Sequence, residues 1–207
     1  MIKQHSDKNF WILTPTLGSI LFVILYIVAT FYYPGGSQVN KNSIGFSWAN
    51  NYWCNLLNST AINGQVNPAK PIAIAAMLVL CLSLSVFWFL FPQYTLLSRK
   101  IKLLIQVCGV LAMLIGFFLF SNINHDLITN LASLFGLVAT IGTFIGLYKN
   151  KWHRFFKIGI VNIFLVLMNN FFYYDKAIII YLPVLQKITF ATFLIWICWI
   201  NVKMFYK

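Results

Sequence analysis

The chain is poor in charge, and above all in negative charge. Only 9% of its 207 residues are charged, and three of them, all aspartates, are acidic. Soluble globular domains carry about a quarter charged residues, so the composition excludes an ordinary soluble domain. With three histidines and three acidic residues, the chain also has few ligands for the metal site of a hydrolase built in a helical bundle. We therefore expect no metal and no cofactor.

Other catalytic signatures are missing as well. The sequence has no serine in a nucleophile elbow, no histidine pair four residues apart and no glycine-rich phosphate loop. It contains four cysteines. Cys81, Cys108 and Cys198 fall within apolar runs and only Cys54 lies in a long loop, which does not form an extracellular disulfide framework.

What the chain has instead is apolar sequence, gathered in six long runs. Sixty per cent of its residues are hydrophobic and its mean hydropathy is +0.80. A bilayer core needs about 20 helical residues to cross it, and helices of a soluble bundle would show polar stripes that these runs lack. The sequence therefore predicts an all-α polytopic membrane protein, with one six-helix domain over residues 1–207. The predicted spans are about 11–33, 71–91, 101–121, 127–148, 158–174 and 177–202.

The basic residues predict how the chain threads the membrane. Eleven cations flank one side of the predicted spans and four flank the other, so the positive-inside rule places both termini in the cytoplasm and the 34–70 loop outside. Cations beside span ends anchor to anionic headgroups, and the net charge of +12 thus indicates membrane lipids, with no nucleic acid, as partners. We expect a multi-pass protein of a bacterial inner or plasma membrane. Its first span is expected to be retained, because Tyr32-Tyr33-Pro34 is a poor signal-peptidase site.

The only long connection, residues 34–70, is rich in aromatic side chains. Its central segment, residues 44–57, contains Trp48, Tyr52 and Trp53. Aromatic rings partition well into the membrane interface, so the segment predicts a short amphipathic helix lying there. The alternative is that it folds back over the bundle as a lid.

Polar residues inside the apolar runs converge on the outer half of the predicted bundle. In the fourth span they recur at steps of three and four, which puts them on one helix face that we expect to turn inward. The residues of this face are Asp126, Asn130, Ser133, Gly136 and Thr140.

Lys187 is the one cation well inside a predicted span. An ammonium at the centre of a membrane helix costs about 2.5–3.5 kcal/mol on insertion scales and normally faces the bundle interior or a partner. Three roles stay open: an ion pair with Asp126 or Asp175, a functional site, and snorkelling of the ammonium to the surface.

Together these groups predict a pocket for a lipid or another small amphiphile in the outer half, because such a site needs an apolar wall and a few convergent polar groups. The predicted ligand-binding residues are Trp48, Asn51, Trp53, Asn55, Asn122, Asn130, Asn169, Asn170 and Lys187. If the site is catalytic, His125 is the expected acid or base, and Asp126 orients it or the substrate.

Four short blocks resemble a known family. They are residues 33–37 (Tyr-Pro-Gly-Gly-Ser), 51–57 (Asn-Tyr-Trp-Cys-Asn-Leu-Leu), 67–69 (Asn-Pro-Ala) and the pair His125-Asp126. In these blocks the chain resembles small six-span bacterial membrane proteins grouped under domain-of-unknown-function 998 and its relatives. The resemblance implies a six-helix bundle and supplies no activity. Asn55 stands where the resemblance leads us to expect an acidic residue.

Three functional classes remain open at this level. The first is the binding of an amphiphile, and the second is a membrane-embedded lipid-modifying enzyme that uses His125 and Asp126. The third is a small transporter or channel, or a structural accessory subunit. Transport is less favoured, because polar residues become sparse toward the cytoplasmic half and the sequence shows no convincing internal repeat.

Overall fold

The computed structural model describes residues 10–118 and 125–207, without the side chains of residues 125, 126 and 129. Within these ranges the chain is a bundle of six long helices. They are α1 (Thr14–Phe31), α2 (Lys70–Leu90), α3 (Arg99–Phe117), α4 (His125–Lys149), α5 (His153–Tyr174) and α6 (Leu182–Phe205).

Short 3-10 helices extend or connect these elements. They span Phe10–Leu13, Trp53–Leu57, Phe91–Tyr94 and Ile179–Tyr181. Proline stands in the first turn of α1, α2 and α6, where its missing N–H is not needed and its fixed φ suits the helix.

Six helical segments of the described chain are long and apolar enough to cross a membrane. Their mean hydropathy lies between 1.7 and 2.5. They run over Phe10–Phe31, Lys70–Tyr94, Arg99–Phe117, Asn130–Lys149, His153–Tyr174 and Ile179–Phe205. The predicted all-helical class is thereby confirmed, and so is the number of helices long and apolar enough to span a membrane.

Neighbouring helices pack in chain order from α1 to α4, and α6 packs against both α1 and α5. Small residues allow the close approaches. A Cβ at Gly18 of α1 would overlap the side chain of Ser83 in α2, and one at Gly142 of α4 would overlap Ile105 in α3. We call the end of the bundle that carries residues 34–70 the loop end.

The inward face expected for α4 is wrong in its first half. Asn130 and Ser133 are exposed, whereas Ile128 and Ala139 are buried. The rotation of α4 follows from its packing on α3, where Gly142 receives Ile105. Apolar packing at this close contact, rather than burial of the polar residues, sets which face turns inward.

Candidate functional site

The loop over residues 34–70 is folded, and its asparagine side chains hold it together. Asn51 is fully buried; its Nδ2 donates to the carbonyl of Gly36 at 2.8 Å, and its Oδ1 accepts the N–H of Ser47 at 2.8 Å. The Oδ1 of Asn55 accepts the N–H of Tyr52 at 2.7 Å. These two predicted ligand-binding amides thus bind other parts of the same loop.

The same bonds explain why only part of residues 44–57 is helical. Asparagine side chains that bind nearby backbone groups compete with helical hydrogen bonds and favour turns. The structure accordingly forms turns up to Tyr52 and a 3-10 helix only over Trp53–Leu57. Of the short amphipathic helix expected within residues 44–57, only the 3-10 helix at its C-terminal end is formed, and its position at a membrane interface stays a prediction.

Asn67 is a structural residue that the sequence reasoning missed. Its Nδ2 lies 3.3, 3.1 and 2.9 Å from the carbonyl oxygens of Asn55, Leu56 and Asn58, and its Oδ1 accepts the N–H of Ala69 at 3.1 Å. One buried amide therefore ties the end of the 3-10 helix to the start of α2. The Asn-Pro pair at 67–68 signals a turn, but nothing in the sequence shows which carbonyls it binds.

Trp53 fixes the loop to the bundle. Its ring stacks on Tyr26 of α1 with centroids 4.6 Å apart, and on Phe190 of α6 at 6.2 Å. Trp48 packs edge-on against Trp53 at 6.1 Å. Trp53 therefore lies between α1 and α6 at the loop end, with Trp48 packed against it.

The side chain of Lys187 extends from α6 toward the loop end and contacts the folded loop. Its ammonium donates to the carbonyl of Asn51 at 2.5 Å and to that of Pro183 at 3.0 Å, and it lies 5.6 Å from the ring centre of Phe46. Asp175 instead accepts the N–H of Ala177. The ammonium is thus directed to one carbonyl of the loop and one of α6 itself, and it forms no ion pair with Asp175. The side chain of Asp126, the other partner considered, lies outside the described part of the structure.

Two further groups belong to this contact. The side-chain carbonyl of Gln186 accepts the N–H of Trp53 at 3.1 Å, so consecutive residues of α6 hold the loop. Cys54 is exposed in part, but desolvation by the folded loop raises the pKa of its thiol, while a backbone hydrogen bond and the Lys187 ammonium lower it. The thiol therefore stays protonated at neutral pH.

A second feature lies on the other side of α6, where α4, α5 and α6 meet. The ring of Phe144 in α4 stacks on Trp196 of α6 at 5.9 Å and meets Phe156 of α5 edge-on at 5.4 Å. A Cβ at Gly159 of α5 would lie 2.6 Å from Phe144. These rings close the three helices together toward the end of the bundle opposite the loop.

Toward the loop end, the faces of α4 and α5 that meet at Phe144 are open. Asn130 and Ser133 precede Phe144 on one face of α4, at helical steps of three and four, and both are exposed. On α5 the face that begins at Gly159 continues through Val166, 50% exposed, and the exposed Asn170. Above the aromatic contact these two faces are exposed, and we infer a cleft between the helices there.

The third wall of this cleft comes from α6. Thr189 and Thr192 lie on the same face as Trp196, and both are half-buried. Asn169 of α5 donates to the hydroxyl of Thr189 at 2.6 Å and to the carbonyl of Leu165 at 2.8 Å. The cleft thus has an aromatic floor and hydroxyl and amide groups along its walls.

At the loop end of α5 the surface forms an open depression of about 500 Å³. Asn170 lines both the depression and the α5 wall of the cleft. The other residues that line the depression are Phe171, Tyr174, Asp175 and Lys176.

The predicted catalytic pair can be placed only by its backbone. His125 and Asp126 begin α4, their side chains lie outside the described part of the structure, and Asn122 lies outside the described residues altogether. Among the described residues, no three histidine, cysteine or acidic side chains are grouped so that they could hold a metal ion.

Comparisons with protein-family models, with curated proteins and with solved structures give no match.

Proposed function

We propose that the chain is a multi-pass integral membrane protein that binds a lipid or another small amphiphile in the cleft between α4, α5 and α6. Both termini lie in the cytoplasm, and the loop end faces outward, toward the periplasm or the cell exterior. The segregation of basic residues supports this orientation. Six helices apolar enough to cross a membrane support the membrane location.

The exposure of Asn130 and Ser133 is the observation that carries the binding proposal. Both residues lie on the cleft face of α4, in the first turn of a helical segment suited to hydrocarbon. An unpaired amide costs free energy in an apolar medium, so polar residues at membrane depth normally meet another polar group. An amphiphile in the cleft supplies that group, and its chain covers the aromatic floor at Phe144.

The tryptophans and Lys187 have a supporting role in this proposal. Trp53 and the Lys187 ammonium hold the loop on α1 and α6, which fixes the position of α6 as a wall of the cleft.

A photoactivatable fatty-acyl probe tests the proposal. The full-length protein is reconstituted in lipid nanodiscs, irradiated with the probe and digested, and the labelled peptides are identified by mass spectrometry. We expect labelling of residues 130–144 and 163–170. Ser133→Trp should fill the cleft and remove most of this labelling, because an indole has several times the volume of a hydroxymethyl group.

Leu131→Trp is the matched control. Leu131 is 40% exposed, and residues two apart on a helix point to nearly opposite sides, so the same bulk is added outside the cleft. Labelling that is uniform over all exposed helix faces, or equally reduced by both tryptophans, would contradict the proposed site.

A further inference from the structure

The depression at the loop end of α5 contains a carboxylate that is unusual in this chain. Asp175 is the only acidic residue whose side chain the structure describes, and the protein carries a net charge of +12. It is half-buried, and one of its oxygens accepts the N–H of Ala177 at 2.9 Å. This bond fixes the carboxylate beside the depression.

The surroundings of Asp175 favour a cation. The C-terminal turn of α5 ends at Tyr174, and the last carbonyls of a helix carry partial negative charge. Tyr174 is 81% exposed and Phe171 is 59% exposed, so both rings are available to contact a ligand. Aromatic faces attract ammonium groups, and together with the carboxylate they form the basic elements of an ammonium site.

A second charge lies next to the first. Lys176 is exposed and also lines the depression, where its ammonium suits a phosphate. A carboxylate with aromatic rings beside a lysine matches a ligand that carries an ammonium and a phosphate a few atoms apart. Asn170 joins this depression to the cleft, whose apolar floor suits an acyl chain.

We propose that the depression binds the ammonium–phosphate headgroup of a zwitterionic phospholipid, of the phosphoethanolamine or phosphocholine type, with an acyl chain of the same lipid in the cleft. This inference rests on the proposed function. It adds the headgroup class and assigns Tyr174 and Asp175 to the ammonium and Lys176 to the phosphate.

Competition between lipids in nanodiscs tests the headgroup. The full-length protein is exchanged among nanodiscs of phosphatidylethanolamine, phosphatidylcholine and phosphatidylglycerol, and the lipids that stay bound are counted by native mass spectrometry. We expect both ammonium lipids to be retained over phosphatidylglycerol. Asp175→Asn and Tyr174→Leu should each reduce this preference about two- to fivefold, as expected for single ion-pair or cation–π contacts near a surface. Lys176→Gln should weaken retention of all three phospholipids.

Tyr32→Leu is the matched control. Tyr32 follows α1 at the loop end and is 54% exposed, but it is not among the residues around the depression. Its replacement should leave the lipid preference unchanged. Equal retention of phosphatidylglycerol, or a preference untouched by Asp175→Asn, would overturn the headgroup assignment.

Two outcomes separate this inference from the proposed function. Cleft labelling by the acyl probe without headgroup preference would refute the headgroup site and leave amphiphile binding in place. A headgroup preference without cleft labelling would refute the acyl position. In the last arm of the experiment, water-soluble glycerophosphoethanolamine competes with the bound lipid. If it displaces the bound lipid as well as the phospholipid does, the ligand is a soluble phosphoamine, which overturns the lipid assignment.

Discussion

Replacing Lys187 by methionine should loosen the loop from α6 and leave the helices folded. The ammonium makes two hydrogen bonds to carbonyl groups, one of them to the buried Asn51. A hydrogen bond from a charged donor contributes about 1.5–3 kcal/mol, and a buried carbonyl left without a partner costs about 1–3 kcal/mol. Methionine has a similar length and removes the cost of keeping a charge half-buried, which offsets part of the loss.

The expected net effect is a loss of about 1–3 kcal/mol in the free energy that holds the loop closed. At 1.4 kcal/mol per factor of ten, this raises the population of the open loop roughly 5- to 150-fold. Hydrogen exchange of peptides covering residues 47–57 measures it, because the N–H of Trp53 is bonded to Gln186 and that of Asn51 to the carbonyl of Ser47. Exchange in α2 and α3 should not change.

Two variants make this result specific. Lys187→Arg keeps the charge and the donors and should restore most of the protection. Lys41→Met removes an exposed cation of the same loop and should have no effect. Unchanged exchange of residues 47–57 in Lys187→Met, or an equal rise in Lys41→Met, would contradict the role of the ammonium in holding the loop closed.

Three other predictions concern the fold and the loop. Gly18→Val should lower the free energy of unfolding by about 1–3 kcal/mol, because a Cβ at this position overlaps Ser83. Gly116→Val should have little effect, because a Cβ there meets open space. Thermal unfolding that ranks the two variants equally would contradict this packing. Asn67→Ala removes the donor to three carbonyls and should lower the stability of the folded loop by about 1–3 kcal/mol. Faster proteolysis within residues 51–69 measures this loss, and unchanged cleavage would contradict the structural role of Asn67. The raised pKa of Cys54 predicts slow alkylation at neutral pH and a midpoint of the pH–rate profile above that of free cysteine; a midpoint at or below the free value would contradict it.

The helices were predictable because hydropathy along a chain depends on each residue's own chemistry. The positions at which the helices begin and end were less predictable. The fifth span was expected from residue 158, but α5 begins at His153. It runs through Arg154 and Lys157, whose side chains are exposed. Long basic side chains can stay hydrated beside an apolar helix, so charge in the sequence does not mark the helix end.

The loop shows where sequence reasoning stops. Bonds between residues three or four apart, such as those of Asn51 to Ser47 and of Asn55 to Tyr52, follow from the known tendency of asparagine to bind nearby backbone. The contact of Lys187 with the Asn51 carbonyl joins residues 136 positions apart. No local pattern encodes such a pair, because it depends on how α6 and the loop pack.

The rotation of α4 explains both why the predicted inward face is wrong and why a ligand is proposed. We expected Asn130 and Ser133 to turn inward because hydrocarbon leaves polar groups unsatisfied. In the structure the close packing of Gly142 on Ile105 sets the rotation of α4. The two polar residues therefore remain exposed. Hydrocarbon still leaves these exposed polar groups unsatisfied. If α4 cannot bury these groups against its own bundle, something else in the membrane has to cover them, and they open onto a cleft with an aromatic floor. A covering helix from a second protein would protect this face from the acyl probe in the assembled complex only, whereas a lipid would be displaced by the probe in the isolated protein. Labelling of residues 130–144 is therefore compared between purified, monomeric protein and native membranes. Labelling in both indicates a lipid, and protection in native membranes alone indicates a protein partner.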